Sequence, residues 1–107
     1  MNTRKYSYKQ EKYVARNLGG KVQPNSGATP FMKGDVAVGS EWLVECKTQI
    51  TPKKSITIKQ DWLDKLEEER FAMRKQNMAL AFNFEPDGEM YYIVKERVFK
   101  QMMKEEN

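Results

Sequence analysis

Residues 34–48 have the sequence GDVAVGSEWLVECKT, in which apolar and polar side chains alternate on either side of a short polar interruption. Most of the even positions are apolar: Val36, Val38, Trp42, Val44 and Cys46. Because alternate residues of a strand face the same side, this pattern predicts a two-stranded hairpin whose even face packs on the core. The odd positions include Asp35, Glu45 and Lys47, which the same pattern gathers on the other face.

The turn of the hairpin decides which residues face each other. A three-residue turn over 39–41 places Val38 opposite Trp42, and the same register places Asp35 directly opposite Glu45. Directly opposed residues share a face and have Cβ atoms about 5 Å apart. A two-residue turn would shift the register by one residue and move the two carboxylates to opposite faces. The site hypothesis therefore includes a prediction about register.

Two carboxylates on one face are the kind of oxygen ligands that Mg²⁺ uses together with waters and phosphate oxygens. A bound metal lowers the pKa of an attacking water and offsets the charge that develops on a phosphate. Lys47 can orient or deprotonate that water, or stabilise the transition state, and the sequence leaves these roles open. The alternative is a surface hairpin with a cross-strand Asp, Glu and Lys, since so short a pattern also occurs by chance.

Patterns along the rest of the chain predict one domain over residues 1–107. The predicted elements are a helix 6–18 that ends at Gly19-Gly20, a strand near 21–23, a small-residue loop 24–33, the hairpin 34–48, a basic loop 49–57, a helix 59–76, strands 79–84 and 90–95, and a helix 96–104. This order predicts an α/β fold with a central mixed sheet flanked by helices. Residues 1–7 are predicted to be a flexible basic arm that becomes ordered on DNA.

Five features of the chain, taken in order, resemble the motif of the PD-(D/E)XK nuclease superfamily: Glu11, Asn25-Ser26-Gly27-Ala28, Asp35, Glu45 and Lys47. The closest likeness is to the small Holliday junction resolvases of the archaeal type and their phage-encoded relatives, over about residues 8–94. The resemblance implies a restriction-endonuclease-like core of αβββαβ order. It implies that Asp35 and Glu45 hold the metal, and that Lys47 assists catalysis.

The same resemblance implies that Glu11 completes the metal site or its outer shell, and that Ser26 touches the scissile strand. Gly34 precedes Asp35, at the position where the PD-(D/E)XK motif has proline. A residue at this position need only let the chain enter the strand, which glycine also does. A strong downstream glutamine motif with a following tyrosine is lacking, so Gln60 is the candidate for that position.

Composition excludes several other classes of site. The chain has no histidine, which rules out Ser-His-Asp triads, histidine-dependent metal nucleases and Cys/His zinc fingers. Its single cysteine, Cys46, leaves no intramolecular disulfide or zinc cluster and is predicted to be a core residue. No apolar run reaches the ~20 residues of a membrane span, and the N-terminus has no apolar signal core. We therefore expect a cytoplasmic protein, and the resemblance to phage-encoded resolvases implies a bacterial or phage-infected cell.

Basic residues are concentrated in the first third of the chain. Residues 1–33 contain seven lysines and arginines and one acid, Glu11. A basic surface beside a carboxylate site suits a polyanion that approaches a metal, whereas the alternative is an ordinary solvated helix face. The predicted nucleic-acid contacts are Lys5, Lys9, Lys12, Arg16, Ser26, Lys33, Lys53, Lys54, Lys59 and Gln60.

Two other groups of residues are predicted to have structural roles. Glu67, Glu68 and Glu69 are predicted to be a solvated face, and residues 91–94 are predicted to be sheet core rather than a base-stacking surface.

These observations predict a DNA endonuclease that depends on Mg²⁺, with Mn²⁺ as a substitute, and that resolves Holliday junctions by paired nicks. The alternatives are another nuclease of the same superfamily, of nicking or flap type or a subunit of a larger machine, and a non-catalytic DNA-binding module. Two symmetric nicks favour a two-fold homodimer. Apolar residues available for its interface lie on the second helix and at Phe31, Met32, Met102 and Met103.

Overall fold

The computed structural model describes residues 3–23 and 35–106. The elements in those ranges are α1 (Thr3–Leu18), β1 (Lys21–Val22), β2 (Val36–Val38), β3 (Trp42–Lys47), α2 (Gln60–Ala72), β4 (Asn77–Phe82), β5 (Tyr91–Ile93) and α3 (Glu96–Glu106). The strands form one sheet in the order β1-β2-β3-β4-β5, in which only the β3–β4 pair is parallel. The predicted α/β class, a mixed sheet flanked by helices, is confirmed.

The hairpin of β2 and β3 has the predicted register. Val36 pairs with Val44, and Val38 pairs with Trp42, so the turn contains three residues, 39–41. Gly39 adopts a φ of 58°, a left-handed conformation that glycine reaches without the strain that a side chain would add. The alternation of apolar and polar residues and this turn select the same register, which sets the positions of the two carboxylates.

Helix α1 ends where the sequence predicts. Gly19 has a φ of 71°, and the Gly20 amide donates to the Ala15 carbonyl over 2.8 Å, which closes the last turn. A Cβ at Gly20 would lie 2.6 Å from the Ala37 carbonyl oxygen, so only glycine permits this approach to β2. The helix begins at Thr3, however, so the prediction of a flexible arm is wrong for residues 3–7.

Both faces of the sheet are packed by helices, as the predicted flanked sheet requires. Helix α1 covers one face with a cluster of Val14, Ala15, Val36, Val44, Ala79 and Ala81. Helix α2 covers the other face, where Leu66 packs on Leu43 and Met78. The reason is the parallel β3–β4 pair, since two parallel neighbours need a crossover connection that lies across one face.

Helix α2 ends four residues earlier than predicted. Arg74 takes a φ of 58°, and the Arg70 guanidinium donates to the Lys75 carbonyl over 2.6 Å, so the chain leaves the helix after Ala72. Strand β4 therefore begins at Asn77 rather than at residue 79. None of the helices in the described ranges combines the length and apolar character needed to cross a bilayer.

The tyrosines of β5 are not sheet core, so that prediction is wrong for them. Tyr91 is 45% exposed and Tyr92 is 39% exposed, while Ile93 and Val94 are half-buried. The cause is the position of β5 at the edge of the sheet, where it has a neighbour on one side only.

Candidate metal centre

The structure brings the carboxyl groups of Asp35 and Glu45 together across the β2–β3 hairpin. Asp35 lies just before β2, and its Oδ2 accepts a hydrogen bond from the Cys46 amide over 2.7 Å. A side-chain hydrogen bond also joins Asp35 to Glu45. The strand backbone therefore orients the first carboxylate, and the first carboxylate meets the second, as the register predicts.

The pair is electrostatically unfavourable when both groups are ionised. Burial raises the pKa of Glu45 to about 8, and the charge of Asp35 and the hydrogen bond with it act in the same direction. The Lys47 ammonium lowers this pKa and the Glu69 carboxylate raises it, both by less than Asp35 does. A divalent cation between the two carboxylates would replace the shared proton, so these two residues fit the ligand set that Mg²⁺ prefers.

Lys47 is held by an aromatic ring rather than by a carboxylate. Its Nζ lies 4.3 Å from the centroid of the Trp62 ring, in the first turn of α2. Among the ion pairs of the described residues, none joins Lys47 to an acid. Because the ring attracts the ammonium without neutralising it, the cation stays beside Glu45 and the carboxylate oxygens remain available to a metal.

Helix α1 fixes the backbone at the end of β3. Gln10 is only 7% exposed, and its Nε2 donates to the Lys47 carbonyl over 3.3 Å. The Thr48 hydroxyl donates to Oε1 of the same glutamine. Sequence reasoning missed Gln10, although it lies four residues before the buried Val14 and therefore on the same face of α1.

The charge of Glu11 acts on Cys46, the neighbour of Glu45, but among the described residues Glu11 does not complete a group of three ligands. Burial raises the pKa of the Cys46 thiol, and the charges of Asp35, Glu11 and Glu45 raise it further. Within residues 3–23 and 35–106, no three acidic or cysteine side chains are grouped closely enough to hold a metal ion. Glu11 as a ligand or outer-shell residue stays a prediction. Cys46 itself packs against the core cluster under α1, in agreement with its predicted role.

Of the three α2 glutamates that we predicted to be a solvated face, Glu68 is exposed, and the prediction is wrong for Glu69. Glu69 is only 9% exposed, and its charge acts on Glu45. Glu67 bonds to Arg70 over 2.7 Å and to Lys95 over 2.9 Å, which lowers the pKa of its carboxyl to about 2. The spacing could have identified Glu69, since residues 62, 66 and 69 recur at helical intervals along one inward face.

The predicted nucleic-acid contacts have different surroundings. Lys9 pairs with Asp87 over 2.9 Å, and the Lys12 Nζ lies 5.3 Å from the Tyr8 ring centroid. Gln60 is exposed and donates to Asp64 over 2.9 Å. The remaining described members are exposed: Lys5, Arg16, Lys53, Lys54 and Lys59. Ser26 and Lys33 lie outside the described residues, as does Gly34.

Comparison of the chain with models of known protein families, with curated proteins and with solved structures gives no significant match.

The raised pKa of Glu45 predicts a specific pH dependence for the metal-free protein. Between the ordinary value of 4.5 and about 8, the unfolded chain has released this proton while the native chain still holds it. The free energy of unfolding should therefore fall as the pH rises through this window. Glu45→Gln should remove that slope and be more stable than the wild type at pH 8, with the difference shrinking towards pH 4.5.

The measurement is urea denaturation of both proteins across the window, in the presence of a chelator. Adding Mg²⁺ at pH 8 should stabilise the wild type and have little effect on Glu45→Gln. Parallel pH profiles for the two proteins would show that Glu45 does not carry the buried, proton-sharing carboxyl described above.

Proposed function

We propose that the protein is a Mg²⁺-dependent DNA endonuclease whose catalytic centre is built on Asp35, Glu45 and Lys47. The observation that supports this most is the contact between two carboxyl groups at one end of a hairpin, with a lysine on the same strand as the second. The order of these residues along the chain resembles the PD-(D/E)XK nuclease motif, which is the second argument.

Asp35 and Glu45 would hold the metal, with Mn²⁺ able to substitute for Mg²⁺. When bound, the ion supplies Lewis-acid polarisation of a phosphate oxygen and a water of lowered pKa. Lys47 adds a fixed positive charge beside the phosphate, where it can stabilise developing negative charge or orient the attacking water. Trp62 keeps that charge in place through the contact of its ring with the ammonium.

Basic residues around this centre would contact the DNA backbone. The exposed members of the set on α1 and on the segment between β3 and α2 offer cations that can contact phosphates, and Lys53 and Lys54 lie nearest to the end of β4. Each phosphate contact adds a little under one unit to the salt dependence of binding. Such contacts carry no base preference, which favours selection by DNA shape over selection by sequence.

The substrate that we propose is a four-way junction, resolved by two nicks in the cytoplasm of a bacterial or phage-infected cell. The resemblance to small junction resolvases motivates this choice. A nicking or flap-type nuclease, or a nuclease subunit of a larger assembly, would use the same centre on a different DNA, and a panel of junction, flap, single-stranded and linear DNAs separates these possibilities. A non-catalytic DNA-binding module would instead bind DNA and cut none of the panel.

Asp35→Asn tests the catalytic assignment. The asparagine keeps an oxygen that can accept from the Cys46 amide, so the fold and DNA binding should persist. Loss of the ligand charge should lower the single-turnover rate of junction cleavage by about two orders of magnitude or more. Asp61→Asn, the same change at an exposed position of α2, should cleave like the wild type.

The assignment would be overturned if Asp35→Asn cleaved at the wild-type rate in Mg²⁺, or if a chelator left the wild-type rate unchanged. Either result would leave the two carboxylates as a structural pair without a role in phosphodiester cleavage.

A homodimer would supply the two active sites that two symmetric nicks require, and α3 offers a surface for it. Phe99, Met102 and Met103 are 47%, 50% and 54% exposed on this helix, whose described contacts bury Val98. Met102 also lines an apolar cavity of about 320 Å³ together with Trp42. Phe31 and Met32, the other predicted interface residues, lie outside the described residues.

Sedimentation velocity at micromolar concentration tests this proposal. We expect a dimer for the wild type and a monomer for Met102→Glu, because a charge at the centre of an apolar interface is costly to desolvate. Lys104→Glu, a charge change in the last turn of the same helix, is the control and should remain dimeric. A wild type that sediments as a monomer with and without a junction would contradict the proposal.

A further inference from the structure

Three aromatic side chains are in mutual contact at the end of β4 and on β5. The rings of Phe82 and Tyr91 stack at 25° with centroids 5.6 Å apart. The Phe84 ring meets both of them edge-on, with centroid distances of 5.8 Å in each case. We call these three residues the aromatic cluster.

The strand register places the aromatic cluster on the face of the sheet that carries Lys47. Lys47 pairs with Phe82 across β3 and β4, and Phe82 pairs with Tyr91 across β4 and β5. Register partners project to the same side of a sheet, so the three side chains form one row. Neighbouring strands are about 4.8 Å apart, which puts Tyr91 about 10 Å from Lys47 across the sheet. A nucleic-acid strand at the carboxylate pair can reach this distance within one or two nucleotides.

Helix α2 leaves part of this row open. It packs on the sheet through Leu66 and contacts the row at its first turn, where Trp62 lies against Lys47. Tyr91 is 45% exposed, although one side of its ring lies against Phe82. A partly exposed aromatic residue whose ring already stacks on a neighbour is suited to extend that stack onto a planar partner.

The charges next to the aromatic cluster suit a polyanion. The Lys53 amide donates to the Phe84 carbonyl over 2.7 Å, which attaches the basic segment to the end of β4. Lys53 and Lys54 are both exposed there. Asp87, which lies three residues after Phe84, is paired with Lys9. Glu85 directly follows Phe84 and is exposed, so the two lysines outweigh the one acid adjacent in sequence to the cluster.

We propose that the aromatic cluster is a stacking surface for an unpaired base of the nucleic-acid strand bound at the Asp35–Glu45 pair, with the partly exposed Tyr91 ring as the contact. The inference rests on the proposed function, because that function places the strand beside Lys47. Stacking on a ring tolerates every base, since each base has a π-face. The surface therefore selects DNA that presents an unstacked base, as the branch point of a junction or a single strand does, over a continuous duplex.

The test is equilibrium DNA binding by Tyr91→Leu, measured by fluorescence anisotropy in a chelator so that cleavage plays no part. The probes are a four-way junction, a single-stranded oligonucleotide and a linear duplex. Affinity for the first two should fall about 5- to 100-fold, while affinity for the duplex changes little. Tyr91→Phe keeps the ring and should bind within about twofold of the wild type.

Tyr92→Leu is the matched control. Tyr92 is the next residue of the same strand and has a similar exposure of 39%, but it faces the opposite side of the sheet, where it lines a cavity with Val44 and Ala79. Because this cavity also contains Met102 of the proposed dimer surface, the comparison uses the single-stranded oligonucleotide, for which Tyr92→Leu should leave the affinity unchanged. Equal affinities for the wild type, Tyr91→Leu and Tyr92→Leu would overturn the inference.

A second measurement does not depend on the folding of Tyr91→Leu. Emission from 2-aminopurine at the branch point should fall when the wild-type protein binds, because stacking on a ring quenches it, and unchanged emission would overturn the inference. Cleavage assays keep the two proposals separate. If cleavage depends on Asp35 but Tyr91→Leu changes neither the affinity for DNA nor the cleavage rate, the stacking surface alone is refuted. If the affinity depends on Tyr91 but no DNA is cleaved, the nuclease is refuted and the stacking surface remains supported.

Discussion

The repulsion between the Asp35 and Glu45 carboxylates is the constraint on which the rest of the site depends. Two acidic groups in contact and partly removed from water are difficult to ionise together, and burial, followed by the charge of Asp35, raises the pKa of Glu45 to about 8. A fold gains nothing in stability from such a pair. Its presence at the open end of the hairpin is easier to understand if a cation, rather than a proton, is its working partner.

Several elements hold the pair in place. The three-residue turn with Gly39 sets the register, and the Cys46 amide orients Asp35. On one side of the sheet, α1 anchors the end of β3 through the bonds of Gln10 to Lys47 and Thr48. On the other side, α2 brings Trp62 to the ammonium of Lys47. The two helices thus fix the backbone and the side chain of the same lysine from opposite faces.

Local periodicity was enough to predict the part of the site that lies within one hairpin. The alternation from Val36 to Cys46 and the turn at Gly39 specify a register, and the structure has that register. The glycine pair after Leu18 likewise predicts the end of α1. These features depend on residues close together in sequence, so no knowledge of the tertiary fold was needed.

The features that were predicted wrongly from the sequence depend on how the elements pack in the folded protein. Glu69 was grouped with its exposed neighbour Glu68, although its spacing from Leu66 places it on the inward face of α2. The end of α2 was misplaced because Arg74, not a glycine, adopts the left-handed conformation there. Tyr91 was assigned to the core because sequence does not reveal which strand lies at the edge of the sheet.

The most direct test of the account is divalent-cation binding by the protein alone. Titration with Mn²⁺, followed by the loss of its free electron paramagnetic resonance signal, measures occupancy of the site without DNA and without catalysis. The account predicts stoichiometric binding to the wild type that is lost in the Asp35→Asn, Glu45→Gln double variant. Equal Mn²⁺ binding by the two proteins would contradict the central claim that these carboxylates form a metal site.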